Sequence, residues 1–219
     1  MAVINIDLRF VDQEHELERL ADFLNILEKQ LSNAIKKEQR HITHLRKKQK
    51  SNLDEIELSF YEQRLNDLIN DTLPRFFRGP FICSLWAITE SIILDVAAYI
   101  QKEQKQEIRI KDIRGDNMLD IAIKYFDHVL QFQLFDNGDI ITRLEMIRVL
   151  RNSVAHCNGR LDALSNEKDL RKIKKWSKEN IGISAYDNVV LSESFLRQNY
   201  KIINYALRNL LKRVRMEYK

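Results

Sequence analysis

The chain has few residues that break helices. Two prolines and five glycines in 219 residues leave few points where a helix must stop. So few glycines also supply no Gly-rich loop able to cradle phosphates, which excludes nucleotide hydrolysis by a P-loop. The two cysteines, Cys83 and Cys157, cannot build a disulfide framework and suit a reducing compartment. No apolar run is expected to reach the roughly 20 residues of a membrane span. The opening MAVINIDLRF lacks the basic-then-apolar pattern of a leader. A soluble, cytoplasmic protein with no membrane partner is therefore expected. Histidine is scarce as well, with five in all. His41 and His44 share a helix face, but no carboxylate or thiol stands in register with them, so neither a metal site nor a cofactor is expected.

What is present is apolar periodicity and charge. Hydrophobic residues make up 44% of the chain, enough for a sizeable core. Leu17, Leu20, Leu24, Leu27, Leu31, Ala34 and Ile35 recur at steps of three and four, which predicts a helix over about 12–49 with Asp12 as its N-cap. That spacing suits either a bundle helix or a dimer seam. Ser51–Asp54 supplies a cap for a helix over about 53–72, and Pro74 and Gly79-Pro80 punctuate the chain after it. FICSLWAITESIILDVAAYIQ (81–101), apolar nearly all round, predicts a buried central helix. EIRIKDIRGD (107–116) reads as a connector with a short extended piece. Helices are expected over about 117–133 and 140–157, the latter capped by Asp139 and stopped by Asn158-Gly159. A small β-hairpin within 181–192 precedes a last helix over about 193–217, capped by Ser192. The expected fold is all-α, a helical bundle with a long N-terminal helix and one hairpin before the C-terminal helix. Residues 1–50 are expected to form a helical extension and 51–219 the main helical domain.

The net charge of +4 is unevenly spread. KKEQRHITHLRKKQK (36–50) holds seven Lys/Arg against one acid, and KDLRKIKKWSK (168–178) holds six against one. Such runs are either solvated helix faces or an electrostatic footprint for nucleic acid. Arg171, Lys172, Lys174 and Lys175 in the second run are candidate RNA contacts.

The stretch RNSVAHCNGR (151–160) places polar chemistry at the end of an apolar helix. Asn152 and His156 sit four residues apart and share a face, with Arg151 to one side. A turn of the chain could bring Arg160 close. One reading is an ordinary helix end, its histidine facing free carbonyls and the dipole. The other is a site for cutting a phosphodiester. Arginine forks onto phosphate oxygens, and imidazole, with an ordinary pKa near 6.5, exchanges protons near neutrality. Asparagine can orient the imidazole or donate to a phosphate oxygen.

LRNSVAHCNGR resembles the Arg-Asn-x3-His signature of the HEPN superfamily, small all-helical domains of which many are metal-independent ribonucleases. FFRGPFICSLWAITESII (76–93) is similar to the long helix of bacterial HEPN proteins, and NVVLSESFLRQNYKIINYALRNLL (188–211) adds to the likeness, which covers roughly 55–215. The resemblance implies that Arg151 binds or polarises the scissile phosphate, that His156 is the acid–base group, and that Asn152 is the arginine's polar neighbour. It also implies a homodimer with the two motifs facing each other, and a supporting polar position on the long helix at Glu90. An RNA endonuclease of stress response, toxin–antitoxin pairing or phage defence is the function implied, with RNA, a second copy and an antitoxin or nucleotidyltransferase as partners. A HEPN-type interaction or dimerisation module without chemistry is the alternative. Residues 1–50 lie outside the resemblance.

Overall fold

A computed structural model describes residues 7–49, 55–177 and 181–218. The described chain is almost wholly helical: α1 (Val11–Gln49), α2 (Glu55–Asp67), α3 (Leu73–Gln104), α4 (Met118–Tyr125), α5 (Gly138–Cys157), α6 (Glu167–Trp176) and α7 (Glu193–Glu217). Two short strands, β1 (Gly182–Ile183) and β2 (Val189–Val190), pair antiparallel with Gly182 opposite Val190. The all-α expectation and the hairpin before the last helix are both met.

The prolines do not interrupt the chain where the sequence suggests. α2 passes into α3 through a π turn at Leu68–Thr72, and Pro80 lies inside α3. In the π turn the Leu73 amide donates to the Leu68 carbonyl, five residues back. This wider turn falls immediately before Pro74, where an ordinary α-turn would press the proline ring against the carbonyl four residues earlier. A second π turn, Phe126–Leu130, extends α4, and Gln131 ends it at φ 48°. The connector at 107–116 contains a 3₁₀ turn, Ile110–Asp112, instead of an extended piece. Asp112 closes this turn by accepting from the Arg109 amide at 2.9 Å.

Caps also differ in detail. Asn137, not Asp139, caps α5, its Oδ1 accepting from the Asp139 amide at 2.8 Å. Asp12 lies in the first turn of α1, not ahead of it. Ser192 caps α7 as expected, accepting from the Phe195 amide at 3.1 Å. The basic run lies in α6 as far as Trp176, and Asn166 caps that helix through the Lys168 and Asp169 amides. The cap expected at Ser51–Asp54 falls outside the described residues.

Two compact units divide the chain differently from the 1–50/51–219 partition. One comprises Met1–Ala21, Ser84–Arg148 and Gln198–Lys219; the other comprises Asp22–Cys83 and Val149–Arg197. Leu17 and Leu20 of α1 are buried in the first, and Leu24 and Leu31 in the second, so the leucine seam of α1 turns inward within the chain's own fold.

In the first unit Leu85, Ile92, Ile93, Val96 and Ile100 of α3 are buried with Tyr125, Phe126 and Leu207. Just ahead of α1, Arg9 donates to Tyr99 Oη at 2.8 Å and to the carbonyls of Arg215 and Tyr218. In the second unit Phe81, Ile82, Val149, Leu150, Ile173 and Leu196 form the core.

The continuous helix Ser59–Gln104 contains an 18-residue window with mean hydropathy 1.7. By length and composition it could cross a membrane, which corrects the expectation that no run is apolar enough. Half of that window is buried inside the protein.

Candidate active site

The motif occupies the last two turns of α5, within the second unit. Helical periodicity decides which way each side chain points. Val149, Leu150 and Ser153 are buried, Arg151 and Asn152 are half-buried at the margin, and Ala155 and His156 are exposed.

Arg151 Nη1 donates to Asn152 Oδ1 at 3.0 Å. Among the described residues no carboxylate lies within ion-pair distance of this guanidinium. The bond to Asn152 is the one hydrogen bond of the Arg151 side chain among the described residues, and it leaves further N–H groups for a phosphate. The Asn152 amide nitrogen likewise remains a donor. Arg151 also lies close enough to Cys83 of α3 to act on it: burial pushes the Cys83 thiol up, and the Arg151 charge opposes that shift. A thiol held neutral in this way is no nucleophile.

Five residues of α-helix rotate a side chain by roughly 140°. Arg151 and the exposed imidazole of His156 therefore leave the helix in different directions, while Asn152, four residues before His156, lies only about 40° from it. The structure joins Arg151 to Asn152 through a hydrogen bond and does not join either to His156.

The end of the motif helix is fixed in three ways. First, the chain closes on itself. The Asn158 amide donates to the Val154 carbonyl at 2.9 Å and the Gly159 amide to the Ser153 carbonyl at 3.0 Å, with Asn158 at φ 51° and Gly159 at φ 79°. The bond from Asn158, itself left-handed, to the Val154 carbonyl is the αL closure of a helix end, so the Asn158-Gly159 stop is realised. Second, the next residues pair with the hairpin. Val189 donates to the Gly159 carbonyl at 2.8 Å, Leu161 donates to the Asp187 carbonyl at 3.0 Å, and Arg160 and Asn188 form an antiparallel bridge. Third, Arg75 Nη1 donates to the Asn158 carbonyl at 2.9 Å.

Arg75 belongs to a polar cluster that the sequence did not disclose. Asp71, 5% exposed, faces Arg75 at 3.4 Å, and its two carboxylate oxygens accept from the Asn188 amide at 3.1 Å each. One turn earlier, Tyr186 Oη donates to Asp67 at 2.6 Å, and that bond holds the phenol above its ordinary pKa. The i,i+4 spacing of Asp71 and Arg75 was the only local signal of this cluster. Gly79 is the other missed residue. A Cβ there would stand 2.9 Å from Val154 Cγ1, so α3 approaches the middle of the motif too closely for any side chain.

The other candidate residues are dispersed. Arg160 is exposed and turns to Asp162, Nη2 to Oδ2 at 2.7 Å, which lowers the Asp162 pKa. Glu90 is half-buried on the part of α3 that belongs to the first unit. On α6, Arg171 pairs with Glu167 at 2.9 Å, Lys174 and Lys175 are exposed, and Lys172 is half-buried. Among the described residues there is no group of histidine, cysteine and carboxylate side chains able to hold a metal ion.

Searches against protein-family models, curated proteins and solved structures return no match to this chain.

Proposed function

We propose that this protein is a metal-independent RNA endonuclease of the HEPN type. The observation that carries the reading is the state of Arg151. It is a half-buried guanidinium hydrogen-bonded to Asn152, with no carboxylate partner among the described residues, on the same helix end as an exposed imidazole. A half-buried cation without a counter-ion is costly unless an anion visits it. A phosphodiester is such an anion.

In the proposed step Arg151 and the Asn152 amide hold the non-bridging phosphate oxygens. His156 accepts the proton of the ribose 2′-hydroxyl as its oxygen attacks phosphorus. The P–O5′ bond breaks, leaving a 2′,3′-cyclic phosphate, and a proton delivered by imidazolium releases the 5′-hydroxyl. No metal or cofactor takes part. Because Arg151 and His156 diverge around one helix, we assign the cleft to two copies, each supplying what the other directs elsewhere. Stress response, toxin–antitoxin pairing and phage defence are the settings such an enzyme suits, in the cytoplasm, with an antitoxin or nucleotidyltransferase as restraining partner.

The divergence of Arg151 and His156 is also what a non-catalytic helical dimerisation module would tolerate. One experiment separates the two readings. Purified protein is incubated with RNA in EDTA, and the ends are analysed. The nuclease reading requires 2′,3′-cyclic phosphate ends that disappear in Arg151→Ala and His156→Ala at unchanged helical content. Equal cleavage by wild type and His156→Ala discards it.

A further inference from the structure

The most regular charged surface lies away from the motif helix, on the second half of α1. Lys36, Gln39, Arg40, Thr43, His44 and Lys47 fall at steps of three and four, are all exposed, and line one shallow depression of about 340 Å³. No acid and no large apolar side chain shares this face. Among the described residues Lys36, Arg40 and Lys47 have no carboxylate within ion-pair distance. Elsewhere on the surface, by contrast, Arg160, Arg171, Arg197 and Arg208 are each paired with an acid. At about 1.5 Å per residue, the three unpaired cations run along roughly 16 Å of straight helix.

Round the same helix is a cleft of about 420 Å³, within the range of small-ligand sites. Ile42, Leu65 and Leu68 give it an apolar floor, while Tyr61, His41 and Arg64 stand exposed at its rim. Arg46 of α1 pairs with Glu62 of α2 and ties the two helices together beside it. Asp67, which accepts the Tyr186 hydroxyl, also lines the cleft.

We propose that the basic face of α1 carries the backbone of single-stranded RNA and that the cleft takes one of its nucleotides. Several features favour this occupant. A face carrying three cations along one helix with no apolar member matches a phosphate backbone and gives a membrane nothing to insert into. An aromatic ring over an apolar floor accepts an unstacked base, which only a single strand offers. Asp67 and Glu38, which also lines the cleft, can accept from a base's amino group or a ribose hydroxyl, and Arg64 and His41 can meet its phosphate. The inference rests on the RNA reading of the motif and extends it, since it assigns where the substrate is held outside the reacting centre.

The test measures binding of a short fluorescein-labelled single-stranded RNA to full-length His156→Ala by anisotropy, between about 50 and 200 mM salt. Joint replacement Lys36→Glu, Arg40→Glu and Lys47→Glu is expected to weaken binding at least tenfold. With about 0.7 per phosphate contact for a single strand, it should also flatten the slope of log affinity on log salt by about 2. Tyr61→Ala is expected to weaken binding by roughly 5- to 100-fold, while Tyr61→Phe retains it. A charge-matched control, Arg19→Glu with Lys201→Glu and Lys212→Glu, should change binding less than twofold. All replaced residues are exposed, and circular dichroism checks that the fold is kept.

Equal weakening by the control set, binding indifferent to the α1 set, or binding indifferent to Tyr61→Ala would overturn the proposal. The two readings fail separately. RNA bound through α1 but never cut by the wild type would remove the nuclease alone. RNA cut normally by the α1 variant would remove the track alone.

Discussion

Arg75 Nη1 reaches the carbonyl oxygen of Asn158, two residues past His156, at 2.9 Å. Carbonyls at a helix end have no partner within the helix, and a cation placed there satisfies one of them while opposing the negative end of the dipole. The arginine is itself oriented by Asp71, which also holds Asn188 on the hairpin. The orientation of the last motif turn is thus set from α3 and from the hairpin together.

Removing Asp71 should therefore cost more than an ordinary surface charge. Asp71→Ala leaves a largely buried guanidinium and a buried amide without their acceptor, and a loss of about 3 kcal/mol is expected in urea denaturation. A loss below about 0.5 kcal/mol would show that water replaces the carboxylate.

Gly79→Ala should destabilise by about 1–3 kcal/mol, because its Cβ would meet Val154 Cγ1 at 2.9 Å. Adding Val154→Ala removes the clash, so the double variant should lose less than the sum of the single losses. Strict additivity in a double-mutant cycle would contradict the contact.

Ser153 is fully buried and its Oγ has no hydrogen-bond partner among the described residues, although it lies inside the motif. Removing an unsatisfied buried hydroxyl removes a desolvation cost, so Ser153→Ala should stabilise by up to about 1 kcal/mol. The proposed RNA cleavage should be unchanged, since the side chain is fully buried. A destabilised variant would mean that the hydroxyl has a partner.

At the N-terminal end, hydrogen bonds from the Arg9 side chain and backbone hold the Asp7 carboxyl down at about 2. A depressed carboxyl favours the fold in its charged form. Its contribution is complete above the ordinary value near 3.8 and disappears as pH falls through about 2. NMR titration should find Asp7 titrating near 2, with the Arg9 Nε signal shifting in the same window. Titration at the ordinary value would show that the pair does not form.

Much of the helical layout was legible because its causes are local. Leucines every three or four residues give α1, Ser192 gives the start of α7, and Asn158-Gly159 gives the end of α5. The departures were also local and concerned backbone hydrogen bonding. Pro74 predicts a break, but the π turn before it makes room for its ring. Asp139 and Asn137 are both plausible caps by residue type, and only backbone geometry chose Asn137. At the candidate site the sequence placed Arg151, Asn152 and His156 on one helix end. It held no sign of whether the arginine would be quenched by an acid, nor that Arg160 would turn to Asp162.

The sequence by itself determined the all-α class, the approximate limits of the long helices, and the identities of the motif residues, because helical periodicity and capping act over a few neighbouring residues. Only the tertiary structure decided what surrounds the motif. Asp71 and Asn188 lie 117 positions apart, and Gly79 and Val154 are also distant in the chain. Contacts of that separation depend on how helices approach one another, and no local pattern of residues records that approach.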